Sequence, residues 1–175
     1  AIIYKLQKQF NAREQITGGS RMSELQIVVF SLNGQLFGAE ASQVFQIIRY
    51  QEITKVPGMP KFIEGVLNYR GKVLPVISLN KRFELGETVI GKKTKIIVSK
   101  IDSKLAGFIV NDVAEIKSFT GDQLEPVPVI GGQTAGFLKE VAKNGDKLIS
   151  VIDLEKVLKD SEIKKLSVKM PAVTH

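Results

Sequence analysis

Short apolar runs separated by turn residues dominate the chain from Glu24 onward. The first two runs, Ile27 to Phe30 and Leu36 to Ala39, flank the dipeptide Asn33-Gly34. Asn-Gly between two such runs predicts a β-hairpin, because both residues tolerate the positive φ of a type I′ turn. Further strands are predicted over Gly65 to Asn68, Val73 to Leu79, Lys95 to Lys100, Ala106 to Val110, Gly136 to Val141 and Leu148 to Ile152. Many short strands favour a barrel or a sandwich.

Two helices are predicted beside the strands. One is short and lies near Ala41 to Ile47, and the other runs from about Asp153 to Lys165. Asp153 can cap the second helix, because its carboxylate can accept a hydrogen bond from a free backbone N–H. Apolar residues then recur near helical spacing at Leu154, Val157, Leu158 and Ile163. The pattern therefore predicts a mostly β protein with a C-terminal helix.

The two ends of the chain are expected to lie outside the fold. Residues 1–21 end in Thr17-Gly18-Gly19-Ser20-Arg21, and the Met22 that follows resembles a natural start after a flexible joint. We interpret residues 1–21 as an added leader and 169–175 as a frayed tail, which leaves 22–168 as the domain. A functional amphipathic helix is the alternative for the leader, whose apolar residues fall at helical spacing.

An internal repeat divides this domain into two similar halves, about 24–86 and about 92–154. A shift of 69 positions lays Ile27 to Ile47 over Ile96 to Ile116 with six identities in 21 positions, and turn falls on turn. A shift of 75 then lays residues 72–79 over 147–154. Chance sharing of β alternation is the alternative. Two related halves can each bury a core and close a third core between them, and that seam could accept a partner helix.

Charge and composition exclude several classes of function. The net charge of +7 resides mainly in the segments before Met22 and after Glu155, so the body is nearly neutral, which argues against a basic groove for nucleic acid. No apolar run is long enough to span a membrane. The chain has no cysteine and its only histidine is His175, so no Ser-His-Asp or Cys-His centre and no His or Cys metal cluster is expected. We expect a non-catalytic protein without cofactors.

The same segments resemble a known family. The resemblance is carried by Phe30 to Gly38, Val44 to Ile47, Ile53 to Pro60, Ile63 to Gly71 and Val73 to Leu79, and it continues through Gly107 to Ile116, Gly136 to Leu138 and Ile152 to Leu154. These residues are similar to the CheW family of chemotaxis scaffold proteins, over essentially Glu24 to Lys159.

The resemblance implies two intertwined SH3-like five-stranded β-barrels. It also implies an adaptor that binds the regulatory domain of the chemotaxis histidine kinase and the cytoplasmic hairpin of methyl-accepting chemoreceptors. Such a protein acts in the cytoplasm and reaches membrane receptor arrays through its partners, with neither nucleic acid nor direct membrane insertion. Two alternatives share the fold: a detached regulatory domain of that kinase, and an SH3-like nucleic-acid-binding module.

Five residues are candidates for receptor or kinase binding: Arg70, Val44, Gln46, Ile47 and Gly65. Arg70 could reach a partner carboxylate with two hydrogen bonds or be a solvated turn residue. Val44 and Ile47 could face the seam or fill a core, and Gly65 more readily serves the backbone than a contact.

The sequence departs from the family pattern at two places. Gln46-Ile47 stands where the family often has Glu-Ile, and Val110-Asn111 stands where it often has Val-Asp. Each change removes a charge and keeps an acceptor, so it puts in doubt any partner contact that needs the charge.

Overall fold

The computed structural model describes residues 24–127 and 136–158, and all structural statements below concern these residues. Their strands are β1 Leu25–Leu32, β2 Gln35–Glu40, β3 Val44–Arg49, β4 Ile63–Tyr69, β5 Lys72–Ser78, β6 Lys95–Ile101, β7 Lys104–Val110, β8 Asp112–Phe119, β9 Leu124–Pro126, β10 Leu138–Asn144 and β11 Lys147–Ile152. One α-helical turn, α1, spans Leu79–Arg82, and 3-10 turns span Ala41–Gln43, Gly121–Gln123 and Leu154–Lys156. The predicted mostly β fold class is confirmed, whereas one of the two sheets has six strands where five are expected.

The strands form two sheets, and each sheet draws strands from both halves of the repeat. Sheet I has the order β8-β1-β2-β11-β10-β9, and sheet II has the order β3-β6-β7-β5-β4. The first hairpin of each half, β1-β2 or β6-β7, therefore pairs with two strands of the other half. The pairing of β11 with β2 and of β5 with β7 is parallel, and the other pairs are antiparallel. The two halves are intertwined.

The repeat extends to the strand register. Val29 pairs with Gly38 in sheet I, and Val98, 69 positions later, pairs with Gly107 in sheet II. The parallel pairs also correspond, because Gly38 lies opposite Val151 and Gly107 opposite Val76. The apolar residues alternate in the same way in both halves, and the strands pair in the same register. A slip of one residue would turn the apolar side chains of a strand toward solvent.

Three apolar clusters hold the sheets together. The central cluster lies between the sheets and takes residues from both of them, among them Phe30, Phe108 and Leu154. A second cluster in sheet II includes Tyr69, and a third in sheet I includes Phe119. Each sheet therefore buries its own core, and the seam between the sheets is the largest core of the described residues.

The prediction of a short helix over Ala41 to Ile47 is wrong. Only Ala41–Gln43 form a 3-10 turn, and Val44–Arg49 form strand β3, which pairs with β6. The β-branched and aromatic residues of β3 favour an extended backbone, and the distant β6 supplies the partner for its hydrogen bonds.

The predicted C-terminal helix is not found among the described residues. Leu154–Lys156 form a 3-10 turn, and the part of the prediction from residue 159 to 165 lies outside the described range. The predicted cap is present, because the Asp153 carboxylate accepts a hydrogen bond of 3.0 Å from the Glu155 N–H. The leader, 1–21, and the tail, 169–175, also lie outside the described residues.

Candidate binding surfaces on sheet II and at the sheet junction

A tight turn between β4 and β5 presents Arg70. Arg70 has φ 52° and Gly71 has φ 80°, as a two-residue type I′ turn requires. The Asn68 side-chain oxygen accepts a hydrogen bond of 2.9 Å from the Gly71 N–H and closes the turn. A residue with a Cβ is strained at positive φ by about 1 kcal/mol, so a turn built for stability alone would favour Asn or Gly at position 70.

The Arg70 side chain is exposed but held in place by two neighbours. Its Nη2 donates a hydrogen bond of 3.0 Å to Gln46 Oε1, and its guanidinium carbon lies 5.2 Å from the centroid of the Tyr69 ring. The Tyr69 hydroxyl donates to the same Gln46 oxygen. Gln46, Tyr69 and Arg70 are called the Arg70 cluster below.

The Arg70 cluster joins the two edges of sheet II. Gln46 lies on β3 and Tyr69 on β4, which are the first and last strands in the sheet order. The Tyr69 ring is buried in the sheet II core, and this burial raises the pKa of its hydroxyl while the charge of Arg70 partly opposes the shift. The cluster therefore presents a fixed cation above a closed apolar core.

The other candidate residues are placed differently. Val44 and Ile47 are buried in the central cluster, so their side chains shape the seam from inside and do not form exposed surface. Gly65 has φ 146°, and a Cβ added there would lie 2.1 Å from the Thr54 carbonyl oxygen. That contact leaves room only for glycine, because Thr54 pairs with Val66 in an isolated β-bridge.

Phe45, an exposed residue beside the Arg70 cluster, is not among the binding residues that the sequence predicts. Phe45 is 49% exposed in a bulge of β3, next to Gln46. The repeat carries a signal for it, because the equivalent position 69 residues later is Ala114, which is also exposed and sits in the matching bulge. The repeat therefore does not require a large apolar side chain at this outward-facing position, and Phe45 is a feature of the first half alone.

A row of aromatic rings crosses the junction of the sheets. The ring centroids of Phe37, in β2, and Phe83, which follows α1, are 5.7 Å apart. Those of Phe83 and Phe137, which precedes β10, are 4.4 Å apart. Phe62, Phe83 and Phe137 are only partly buried against the central cluster. The guanidinium carbon of Arg82 lies 5.2 Å from the centroid of the Phe62 ring. Phe37, Phe62, Phe83 and Phe137 are called the junction patch below.

The described residues offer no site for a metal and no helix that could cross a membrane. No group of three or more His, Asp or Glu side chains converges there. No described helix has the length and hydropathy of a membrane span.

Comparison with known proteins decides the family. The model of the CheW-like domain matches residues 26–162, which is most of the chain. The chain belongs to the CheW family. It is a scaffold and coupling protein of chemotaxis, and it is not an enzyme. The relatives named CheW assign it a scaffold role, in place of a detached kinase domain or a nucleic-acid module.

CheW proteins of several bacteria are similar to the chain. The chemotaxis protein CheW of Bacillus subtilis is 32% identical over 133 residues, which are 75% of this chain and 85% of that protein. CheW of Treponema pallidum is 29% identical over 150 residues, 82% of this chain and 88% of that protein. The crystal structure of the scaffolding protein TtCheW from Thermoanaerobacter tengcongensis matches with a TM-score of 0.74 and 36% identity, and covers 83% of this chain and 94% of that one.

Proposed function

We propose that this CheW-family protein joins the regulatory domain of a chemotaxis histidine kinase to the cytoplasmic hairpin of methyl-accepting chemoreceptors. It would act in the cytoplasm and reach receptor arrays through these partners. Membership of the family supports this class of partner. Within the structure of this chain, the Arg70 cluster gives the strongest support for the proposal.

Three features of Arg70 support a role in binding. Its side chain is exposed, it occupies a strained backbone position, and its partner Gln46 is neutral. An amide accepts a hydrogen bond without neutralising the cation, so the guanidinium keeps its charge and further donors for a carboxylate of a partner. Exposed Phe45 beside Gln46 would add apolar contact, and Gly65, Val44 and Ile47 would shape the surface from beneath.

The junction patch suits the receptor hairpin. A helical hairpin presents apolar side chains at spacings of three and four residues, and partly buried rings at a seam offer a preformed surface for them. The Tyr69 to Gln46 hydrogen bond between edge strands further supports the proposal that sheet II closes as an SH3-like barrel. By the repeat, sheet I would close in the same way.

The test is to replace Arg70 and measure folding and binding separately. Arg70→Ala should change the free energy of unfolding by no more than about 0.5 kcal/mol, as exposed substitutions usually do. It should weaken binding of one partner by about 1.5–3 kcal/mol, because a hydrogen bond to a charged group is lost. Arg70→Lys keeps the charge and loses the fork geometry, so it separates the two contributions. Isothermal titration with the kinase regulatory domain and with a receptor hairpin would measure both.

Lys72→Ala is the matched control, because it removes an exposed cation from the same hairpin two residues away. It should bind both partners as the parent does. If Arg70→Ala also binds both partners normally, or melts several degrees lower and loses both together, Arg70 is structural and the assignment is wrong.

A further inference from the structure

A second exposed surface lies in the segment that connects the two halves of the repeat. Val89 is 81% exposed and Ile90 is 46% exposed, which places them among the few large apolar side chains that the described residues leave in solvent. The segment between α1 and β6 has no regular secondary structure. Because it links the halves, it has no equivalent in the repeat, and any role of these residues belongs to this one side of the molecule.

The backbone on the α1 side of Val89 is firmly anchored. The Asn33 side-chain amide donates hydrogen bonds to the Leu85 carbonyl at 2.8 Å and the Glu87 carbonyl at 3.2 Å. Asn80, which is fully buried, donates from Nδ2 to the Thr88 hydroxyl at 2.8 Å. These bonds hold the segment against the turn between β1 and β2, so the exposure of Val89 does not come from a loose loop.

The backbone on the β6 side is anchored as well. The buried Thr94 accepts a hydrogen bond of 2.8 Å from the Gly91 N–H on its hydroxyl and donates one of 3.2 Å from its own N–H to the Gly91 carbonyl. Val89 and Ile90 are therefore displayed by a segment fixed at both ends. Such preorganisation lowers the entropy that binding would cost.

Four cations lie on the chain segments next to the two apolar side chains. Lys92 and Lys93 are exposed, and Arg49 of β3 lies directly opposite Lys95 of β6 in the antiparallel pair. Like charges directly opposite each other destabilise a sheet. Among the described residues none of these four cations forms an ion pair, and the Lys95 ammonium donates to the Lys93 carbonyl at 3.0 Å instead.

Ile90 and Tyr50 line one small cavity, together with Glu64, Lys81 and Glu87. The Tyr50 N–H donates to the Thr94 carbonyl at 3.3 Å, so Ile90 lies next to the chain segments that carry Arg49 and Lys95. Residues 41–111, which contain sheet II, hold twelve Lys and Arg against five Asp and Glu, whereas the described residues on either side hold five against ten. The near-neutral body is thus strongly polarised, and its positive half carries this surface.

We propose that Val89, Ile90, Arg49, Lys92, Lys93 and Lys95 form a docking surface for an acidic protein segment that carries apolar side chains among its carboxylates. Carboxylates would neutralise the cations that form no ion pair among the described residues, and an apolar side chain of the partner would cover Val89 and Ile90. An apolar centre with a charged rim is the usual composition of a protein interface. Nucleic acid is disfavoured because its bases stack on aromatic faces, and the exposed residues here are aliphatic. This contact is additional to the Arg70 cluster.

The test uses the full chain labelled with ¹⁵N and a synthetic peptide of glutamates interspersed with leucines. Amide chemical shifts should change at Arg49, Tyr50 and residues 88–95. The matched peptide with serines in place of the leucines should bind at least about fivefold more weakly, because it buries less apolar surface. Equal affinity of the two peptides, or shift changes elsewhere on the protein, would overturn the proposal.

Variants of the protein test the two components separately. Lys92→Glu with Lys93→Glu should weaken binding of the leucine peptide at least about tenfold, because it replaces attraction by repulsion. Val89→Ser with Ile90→Ser should abolish the difference between the two peptides. The control Lys55→Glu with Lys100→Glu makes the same charge change at exposed positions outside the proposed surface and should have a much smaller effect.

Competition decides between classes of partner, and Arg70→Ala separates this proposal from the proposed function. A thymidine oligonucleotide or phosphatidylserine vesicles that displace the leucine peptide from residues 88–95 at equal charge concentration would show a polyanion surface and reject the proposal. Arg70→Ala should bind the leucine peptide as the parent does. If it does not, the two surfaces are one and the inference of an additional contact is wrong.

Discussion

A single amide oxygen organises the Arg70 cluster. Gln46 Oε1 accepts hydrogen bonds from both the Tyr69 hydroxyl and the Arg70 guanidinium. A carboxylate at this position would pair with Arg70. The amide keeps the geometry and leaves the cation uncompensated, which makes the charge of Arg70 more available to a partner in this chain.

Tyr69 should make the stability of the protein depend on alkaline pH. Burial raises the pKa of its hydroxyl above 10.0, and Arg70 opposes the shift in part. Because the unfolded chain then ionises first, the contribution of Tyr69 is complete below about pH 10 and is lost as the pH rises through the folded-state pKa. Tyr69→Phe should therefore lose less stability than the parent between about pH 9 and pH 11.

Urea melts across this pH range at constant ionic strength would measure the effect. Tyr50→Phe is the control, since it removes the hydroxyl of a half-buried tyrosine that packs against the same sheet II core. If Tyr69→Phe and the parent show parallel stability profiles, the buried hydroxyl does not govern the alkaline loss.

At the scale of elements, each leading hairpin is built around one glycine with an isoleucine packed over it. A Cβ on Gly38 would lie 2.4 Å from Ile27 Cγ2, and a Cβ on Gly107 would lie 2.8 Å from Ile96 Cγ2. These pairs are equivalent in the repeat. In each pair this isoleucine methyl group is bonded directly to Cβ of a β-branched side chain. It therefore stays close to the backbone and has little freedom to move away.

Gly38→Ala and Gly107→Ala should each destabilise the protein by about 1–3 kcal/mol through overpacking, and Gly38→Ala should cost more because its contact is tighter. Gly91→Ala is the matched control, because no atom lies within 4 Å of the added Cβ and no positive φ is required there. Urea midpoints would rank the three variants. Equal midpoints for Gly38→Ala and Gly91→Ala would contradict the packing argument.

At the scale of the whole molecule, the exchange of hairpins makes each half depend on the other. In a fragment of residues 24–86, β3 and β5 would lack β6 and β7, and β1 and β2 would lack β8 and β11. Edges left open in this way expose unpaired backbone groups and apolar faces.

Residues 24–86 and 87–175 produced separately should therefore be unfolded or aggregated, and an equimolar mixture should regain the β-sheet circular dichroism of the intact chain at the same concentration. A melting transition that is cooperative in either fragment alone would show that a half can fold without its partner.

The local sequence pattern by itself determined much of the fold and part of the candidate site. Asn33-Gly34 predicted the first hairpin, and the shifts of 69 and 75 predicted matched halves. The motifs between Phe30 and Leu154 predicted the family, and the neighbours of Arg70 predicted an exposed cation. These features are carried by neighbouring residues, because turn conformation and the alternation of apolar faces are properties of short segments.

Tertiary structure decided which strands lie side by side. The alternation of apolar residues that sets Val29 opposite Gly38 does not depend on which half the β1-β2 hairpin pairs with. Periodicity therefore could not predict the exchange of hairpins between the halves. Strand β3 was mistaken for a helix because its hydrogen-bond partner, β6, lies about 50 positions away. Its bulge turned Phe45 outward, whereas packing between the sheets buried Val44 and Ile47. Periodicity reports which face of a segment is apolar, and only packing determines what covers it.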